Sequence, residues 1–114
     1  MENISKVLAG WGSWIADNQE IVNLLSGNKR DVIPERIRLR KKCCHHKAII
    51  INELMSILRE HSREEYQLLI DYYVFGKTFI QLAKYESCSD TYIGKKIKKA
   101  EGIVEGMLLF SSLN

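Results

Sequence analysis

The run Gly76-Lys77-Thr78-Phe79-Ile80-Gln81-Leu82-Ala83-Lys84-Tyr85-Glu86-Ser87-Cys88-Ser89-Asp90-Thr91-Tyr92-Ile93-Gly94-Lys95-Lys96-Ile97 decides how the chain is read. Gly76 suits the left-handed residue that closes a helix. Thr78 and Gln81 stand three apart as a capping box, in which each side chain takes an amide the helix start leaves unpaired. The short helix they open turns Phe79, Leu82 and Ala83 inward and ends within Tyr85–Cys88. Ser89 is a good N-cap for a second helix, and Asp90 is favoured beside the positive end of its dipole. Ile93, Ile97, Ala100, Val104, Met107 and Leu108 mark the buried side of that helix. Two helices joined by so tight a turn form a helix-turn-helix, here at about residues 77–100. Ala83 lets the helices approach, Cys88 takes the place of the usual apolar plug, and Ile93 and Ile97 anchor the second helix to the first.

Asp90, Thr91, Tyr92, Lys95, Lys96 and Lys99 remain outward at the start of the second helix. Thr91 can meet a base edge, Tyr92 can stack or touch sugar-phosphate, and the lysines can neutralise phosphates. Two positions depart from the usual pattern: Ser87 stands where glycine is commonest, and Glu86 where an apolar residue often sits. The competing reading is a helical hairpin with a lysine-rich solvated face.

Upstream, Ser62-Arg63-Glu64-Glu65 reads as another capping box, opening a helix to about Phe75 that buries Tyr66, Leu69, Ile70, Tyr73 and Val74. His46–His61 has helical spacing, with Ile50, Leu54, Ile57 and Leu58 as its stripe. Before it, Ser26-Gly27-Asn28-Lys29 and Ile33-Pro34 interrupt the pattern, so residues 26–45 read as a basic connecting arm, extended or loop-like. Ile4 to Asn18 is an amphipathic helix with Val7, Leu8, Trp11, Trp14 and Ile15 on one face. The two tryptophans read as core anchors, the alternative being a protein-docking face. Gly10 and Gly12 weaken this helix, so packing must hold it. Gly102 and Gly106 suggest close packing of the last helix on the first, or else a dimer seam; Phe110 and Leu113 are frayed or docked. The expected architecture is one all-α domain over residues 1–114, of about five helices: an N-terminal helical region (1–25), the arm (26–45) and a helical body (46–114).

With 46% apolar and 27% charged residues in 114, the chain is an ordinary globular composition. No apolar run reaches the roughly 18 residues of a membrane span, and the first residues lack the pattern of a secretory signal. Three cysteines, two of them adjacent, imply no disulfide framework, so a reducing, cytoplasmic setting is expected. The net charge of +3 is unevenly placed: residues 28–47 carry +6, residues 77–99 carry +4, and the remainder −7. That segregation points to a polyanionic partner, or to two solvated faces. Cys43-Cys44-His45-His46 invites a zinc reading, but adjacent ligands do not easily converge on one ion and no second spaced pair exists. The expected alternative is a helix start with Cys44 buried and the histidines in solvent. No phosphate loop, nucleophile motif or paired carboxylates appear, so neither catalysis nor a cofactor is expected.

The N-terminal run Ile4–Asn18, with its Trp11-Gly12-Ser13-Trp14, resembles the opening of the short phage antitermination protein Q family. So do Glu64-Glu65-Tyr66, Tyr72–Gly76, Leu82-Ala83-Lys84, Cys88-Ser89 and Ala100-Glu101-Gly102-Ile103-Val104-Glu105-Gly106. The two blocks cover more than half the chain, while residues from about Ile21 to Lys47 are similar only loosely. The resemblance implies a transcription antiterminator that binds a DNA element near a late promoter and loads onto host RNA polymerase paused with its sigma factor. It then travels with the enzyme through terminators. It implies a helix-turn-helix similar to the promoter-reading part of sigma factors, with Ser89, Asp90, Thr91, Tyr92, Lys95 and Lys96 on DNA and Lys84 at the edge of that surface. Two copies on tandem half-sites are compatible with it. The basic residues Arg36, Arg38, Arg40, Lys41 and Lys42 match the family only in charge, leaving DNA, nascent RNA or no target open. A regulator of the ordinary DNA-binding kind and a polymerase or sigma adaptor without DNA contacts are the alternatives.

Overall fold

The computed structural model describes residues 3–26 and 33–112. The turn expected at Gly27–Lys29, the basic Lys29 and Arg30, and Leu113 lie outside them. Every regular element among the described residues is an α-helix: α1 (Ile4–Ala16), α2 (Gln19–Ser26), α3 (Glu35–Arg38), α4 (His45–His61), α5 (Arg63–Tyr73), α6 (Phe79–Glu86) and α7 (Asp90–Ser112). The all-α expectation holds. Two short helices, α2 and α3, bring the described total to seven where about five were expected.

Helix α1 forms despite its glycines because the glycines are what let it pack. A Cβ on Gly12 would lie 2.1 Å from the Tyr73 carbonyl oxygen, and one on Gly10 would lie 3.0 Å from the Cys43 amide nitrogen. The backbone of α1 therefore rests directly on the end of α5 and on the segment entering α4. Asn3 caps it, its side-chain oxygen accepting from the Ser5 amide at 2.8 Å. Trp11 is almost wholly enclosed, and its indole N–H donates to Asn52 Oδ1 of α4 at 2.7 Å, so burying the ring leaves no orphan donor. Trp14 is only half-buried, its ring 5.5 Å from that of His45. The buried Ser13 donates to the Arg40 carbonyl at 2.9 Å, fixing the path of the arm.

Part of that arm is helical rather than extended or loop-like, while residues 39–44 remain irregular. Pro34 sits at the N-cap of α3, and Ile33 and Ile37 are buried in the main core. Proline bars a helix from running through residue 33 but is well suited to starting one.

Helix α4 buries Ala48, Ile51, Leu54, Met55 and Leu58, while Ile57 is half in solvent. Its apolar face is rotated from the expected stripe: the run Ile49-Ile50-Ile51 satisfies several phases, and packing against α1, α5 and α7 selects one. The capping box expected at Ser62 does not form. Ser62 ends α4 and starts α5 at once, its amide donates to the Leu58 carbonyl, and its side chain makes no cap bond. Glu65 turns instead to Lys99 of α7, 3.6 Å away. Tyr66, Leu69, Ile70, Tyr73 and Val74 are buried as expected, and Gly76 adopts φ +66°, the left-handed conformation its position calls for.

Two apolar clusters result. The larger gathers α1, α2, α3, α4 and α5 with Ala100 and Val104 of α7; the smaller holds Leu68, Leu82, Ala83, Ile93 and Ile97. Tyr72 packs against both. The radius of gyration, 13.5 Å, matches the roughly 13 Å of a compact chain of this length. Met107 and Leu108 are half-buried on the inner side of α7. Gly102 and Gly106 do not pack closely on α1, since a Cβ on either would meet nothing within 4 Å. No helix among the described residues is long and apolar enough to cross a membrane.

Candidate nucleic-acid interface

The segment from Thr78 to Ile97 folds as its local signals direct. The Gln81 amide donates to Thr78 Oγ1 at 3.1 Å and the Thr78 amide to Gln81 Oε1 at 2.8 Å, completing the capping box of α6. Ser87 ends the helix at φ 56°, ψ 48°. Left-handed backbone explains why glycine is commonest there, and a non-glycine residue carries some strain. The Cys88 amide returns to the Ala83 carbonyl at 2.9 Å, and Ser89 Oγ accepts from the Tyr92 amide at 3.1 Å as the N-cap of α7. Asp90 Oδ1 accepts from the Thr91 amide at 2.8 Å, placing a carboxylate at the positive end of the α7 dipole. Leu82, Ala83, Ile93 and Ile97 close the angle between the helices, with Cys88 half-buried against them. Phe79 is turned only partly inward: it stacks on Tyr72 at 5.2 Å between centroids and passes over Gly94, where a Cβ would stand 3.3 Å from its ring.

This scaffold presents Lys84, Ser89, Asp90, Thr91, Tyr92 and Lys95 to solvent on and beside the first turns of α7. Neither Lys84 nor Lys95 forms an ion pair among the described residues. Lys96 behaves differently. It is half-buried, hydrogen-bonds Glu64 of α5, lies 3.5 Å from Glu86 of α6, and sits 5.2 Å from the Tyr92 ring centre. The hydrogen bond to Glu64 raises the Lys96 pKa above its usual value, and the bond from Lys96 lowers that of Glu64. Glu86, at the position where an apolar residue is usual, is explained in part by this lysine, although its Oε2 is buried with no hydrogen-bond partner. Lys99 is exposed and only loosely paired with Glu65. The partners Glu64 and Glu65 were hidden from sequence reasoning, because their match to Lys96 and Lys99 requires α5 to lie against α7.

The arm residues divide in the same way. The Arg36 guanidinium donates to the Gly76 carbonyl, so it holds α3 on the end of α5. Lys42 pairs with Asp17 at 3.0 Å and donates to the Arg38 carbonyl at 2.8 Å. Arg38 and Lys41 are exposed, and Arg40 is half-buried beside a cleft of about 550 Å³ between α1 and α7. Lys6, Lys95, Lys98 and Glu101 share that cleft. Spacing shows Lys98 three residues after Lys95 on one helix face, but nothing in the sequence places Lys6 of α1 beside them. Among the described residues no group of three or more His, Cys, Asp or Glu is arranged to hold a metal ion. Cys44, expected to be buried, is exposed, and Cys43 is half-buried on the core instead, because the Cys43 amide donates to the Gly10 carbonyl and draws its residue inward. His45 and His46 face solvent as expected.

Comparison with known proteins agrees along the whole chain. The family model described as phage antitermination protein Q matches residues 1–114. The antitermination protein Q of Escherichia phage 933W is 44% identical over 111 residues, covering 96% of this chain and 77% of that protein. The prophage antitermination protein Q homolog QuuD of Escherichia coli (strain K12) is 42% identical over 111 residues, 96% of this chain and 87% of its own. A probable antitermination protein Q of Acyrthosiphon pisum secondary endosymbiont phage 1 is 29% identical over 109 residues, 93% of this chain and 74% of its own. No solved structure matches. A helical core built on the Trp11-Gly12-Ser13-Trp14 run, a capped two-helix unit with a basic outer face, and these relatives agree: the chain belongs to the phage antitermination protein Q family.

Proposed function

We propose that this protein is a phage transcription antitermination factor in which α6, the Ser87–Ser89 turn and α7 form a helix-turn-helix that docks on a promoter-proximal element of duplex DNA. From there the protein loads onto the host RNA polymerase and its sigma factor. Its role is regulatory rather than catalytic. One observation carries the DNA reading: the first turns of α7 expose Ser89, Asp90, Thr91, Tyr92 and a Lys95 with no ion pair among the described residues, on a unit whose shape is set by three local caps and a small core shared with Leu68 of α5. Thr91 and Tyr92 face base edges and sugar-phosphate; Lys84 and Lys95 neutralise phosphates. Lys96 is assigned a different task, bracing α7 against α5 and α6 through Glu64 and Glu86. Lys99, whose exposed pair is weak, remains available to DNA. Two copies on tandem half-sites fit this reading, and titration in a gel-shift assay counts them.

Transcription in vitro with purified polymerase and sigma factor tests the proposal, on a template carrying the late-promoter region of the source genome and a downstream terminator. Read-through that needs both the protein and a promoter-proximal element is the expected result. Unchanged termination, with the promoter fragment still shifted, would leave an ordinary DNA-binding regulator. Polymerase binding without preference among DNA sequences would leave an adaptor. For the site, Lys95→Ala is expected to weaken DNA binding and lower the slope of log affinity against log salt by about 0.9, one phosphate contact.

A further inference from the structure

We infer that the cleft between α1 and α7 is a second DNA-backbone site, in which Lys6, Arg40 and Lys98 grip the phosphates of the duplex that α7 reads. The inference rests on the proposal that α7 docks on duplex DNA, and it extends the contact surface from α7 to the N-terminal helix.

Three stretches of chain, distant in sequence, converge on this cleft: Lys6 from α1, Arg40 from the arm, and Lys95 and Lys98 from α7. None of these four cations forms an ion pair among the described residues. That separates them from the other basic groups nearby, since Arg36, Lys42, Lys96 and Lys99 all have a carbonyl or carboxylate partner. Four like charges around one hollow repel one another, and a polyanion relieves that repulsion. The single carboxylate in the lining, Glu101, is held by the Tyr73 hydroxyl and approached at 3.5 Å by Ser5 Oγ. Both hydroxyls donate to it, which holds it within the protein, and its one negative charge leaves the four cations of the lining in excess.

Position selects the polyanion. Thr91 and Lys95 belong both to this cleft and to the outward face of the first turns of α7. A duplex seated on that face carries its sugar-phosphate strand across the shared residues and into the cleft. Phosphates spaced along one strand then meet cations from three segments in turn. Contacts of this kind fix orientation and add affinity without reading bases.

The triple variant Lys6→Ala/Arg40→Ala/Lys98→Ala tests this, with the late-promoter duplex and an unrelated duplex of equal length as probes. Wild-type protein and Lys95→Ala are the references, and affinity is measured across a salt series. The triple variant is expected to bind both duplexes more weakly by the same factor, with the salt slope reduced by about 2–3. Hydroxyl-radical footprinting is expected to lose protection at one edge of the site while keeping it at the centre. Unchanged affinity and slope, with Lys95→Ala still impaired, would overturn the cleft site and leave the α7 interface standing. Failure of the wild-type protein to bind either duplex would overturn the α7 interface itself. Loss of binding to a single-stranded RNA probe, with duplex binding intact, would also overturn the proposal, by showing a different occupant. Should the triple variant melt early by circular dichroism, Lys6→Gln/Lys98→Gln repeats the test on two exposed side chains, with an expected slope change of about 2.

Discussion

The junction of α1 with α5 and the two-helix unit of α6 and α7 are built on opposite principles. At the junction a helix carrying two glycines in its middle survives because its backbone lies against the Tyr73 carbonyl and its tryptophan fills the core. Within α1 itself the two glycines count against the helix and the Asn3 cap in its favour. The α6–α7 unit has a small apolar cluster, and its shape is written locally: a capping box at Thr78, a left-handed turn at Ser87, an N-cap at Ser89. One region is held by distant packing, the other by neighbours in sequence. The surface proposed to meet DNA sits on the second kind, where exposed residues can vary without disturbing the fold.

The strongest way to break that contrast is Trp11→Ala. Removing an enclosed indole is expected to cost about 3–5 kcal/mol, read by urea unfolding, and to leave the Asn52 carbonyl without its donor. Hydrogen exchange on the same variant then asks whether the regions are separable. Protection is expected to fall throughout α1 and at the end of α5. Protection retained in full at α1 would show that packing on Trp11 is not what holds it.

Next come two glycines that look alike in sequence. Gly12→Ala drives a methyl into the Tyr73 carbonyl, where overpacking typically costs about 1–3 kcal/mol and the rigid backbone neighbour favours the upper end. Gly102→Ala, with open space around it, is expected to stabilise by about 0.5–1 kcal/mol through helix propensity. Melting temperatures moving in the same direction would contradict the packing described.

The capping contrast is smaller. Thr78→Ala is expected to cost about 1 kcal/mol, whereas Ser62→Ala, whose side chain makes no cap bond, should stay within about 0.5 kcal/mol of wild type. Equal losses would mean that the Ser62 box forms in solution.

The smallest effect is the ion pair that ties α7 to α5. Glu64 titrates below its usual 4.5 and Lys96 above its usual 10.5, in both cases chiefly through the hydrogen bond between them. Glu64, depressed in the fold, contributes stability above the usual carboxylate value and loses it as pH falls through the depressed one. Lys96, raised, contributes below its usual value and loses it as pH rises through the raised one. The stability difference between wild type and Lys96→Gln should therefore form a plateau between those limits and shrink on both sides, as read by denaturant midpoints across pH. A difference that ignores pH would assign it to packing alone.

How much of this was readable from the chain follows the same division. Thr78, Ser89 and Gly76 announce their roles within four residues and the structure uses each as expected, while Thr91, Tyr92 and Lys95 are exposed as their outward spacing suggests. Ser62 carries the same letters as a capping residue and is overruled because it must also end α4. The phase of α4 was hidden by three consecutive isoleucines, and α3 by a proline that reads equally as a break or a start. That Lys96 is a brace while Lys95 has no ion pair among the described residues depends on where α5 lies, which no spacing within α7 reveals.

The seat of Gly12 on Tyr73 also sets an order of events at the ribosome. Trp11 and Gly12 are made about sixty residues before the carbonyl and the helices that receive them. At about 5–20 residues per second, translation leaves α1 without its partner for roughly 3–12 s. Through that interval an apolar segment weakened by two glycines waits in solvent, while α6 and the start of α7, emerging later, carry caps made between residues three apart. The part of the protein that holds it together is thus born first and finished late.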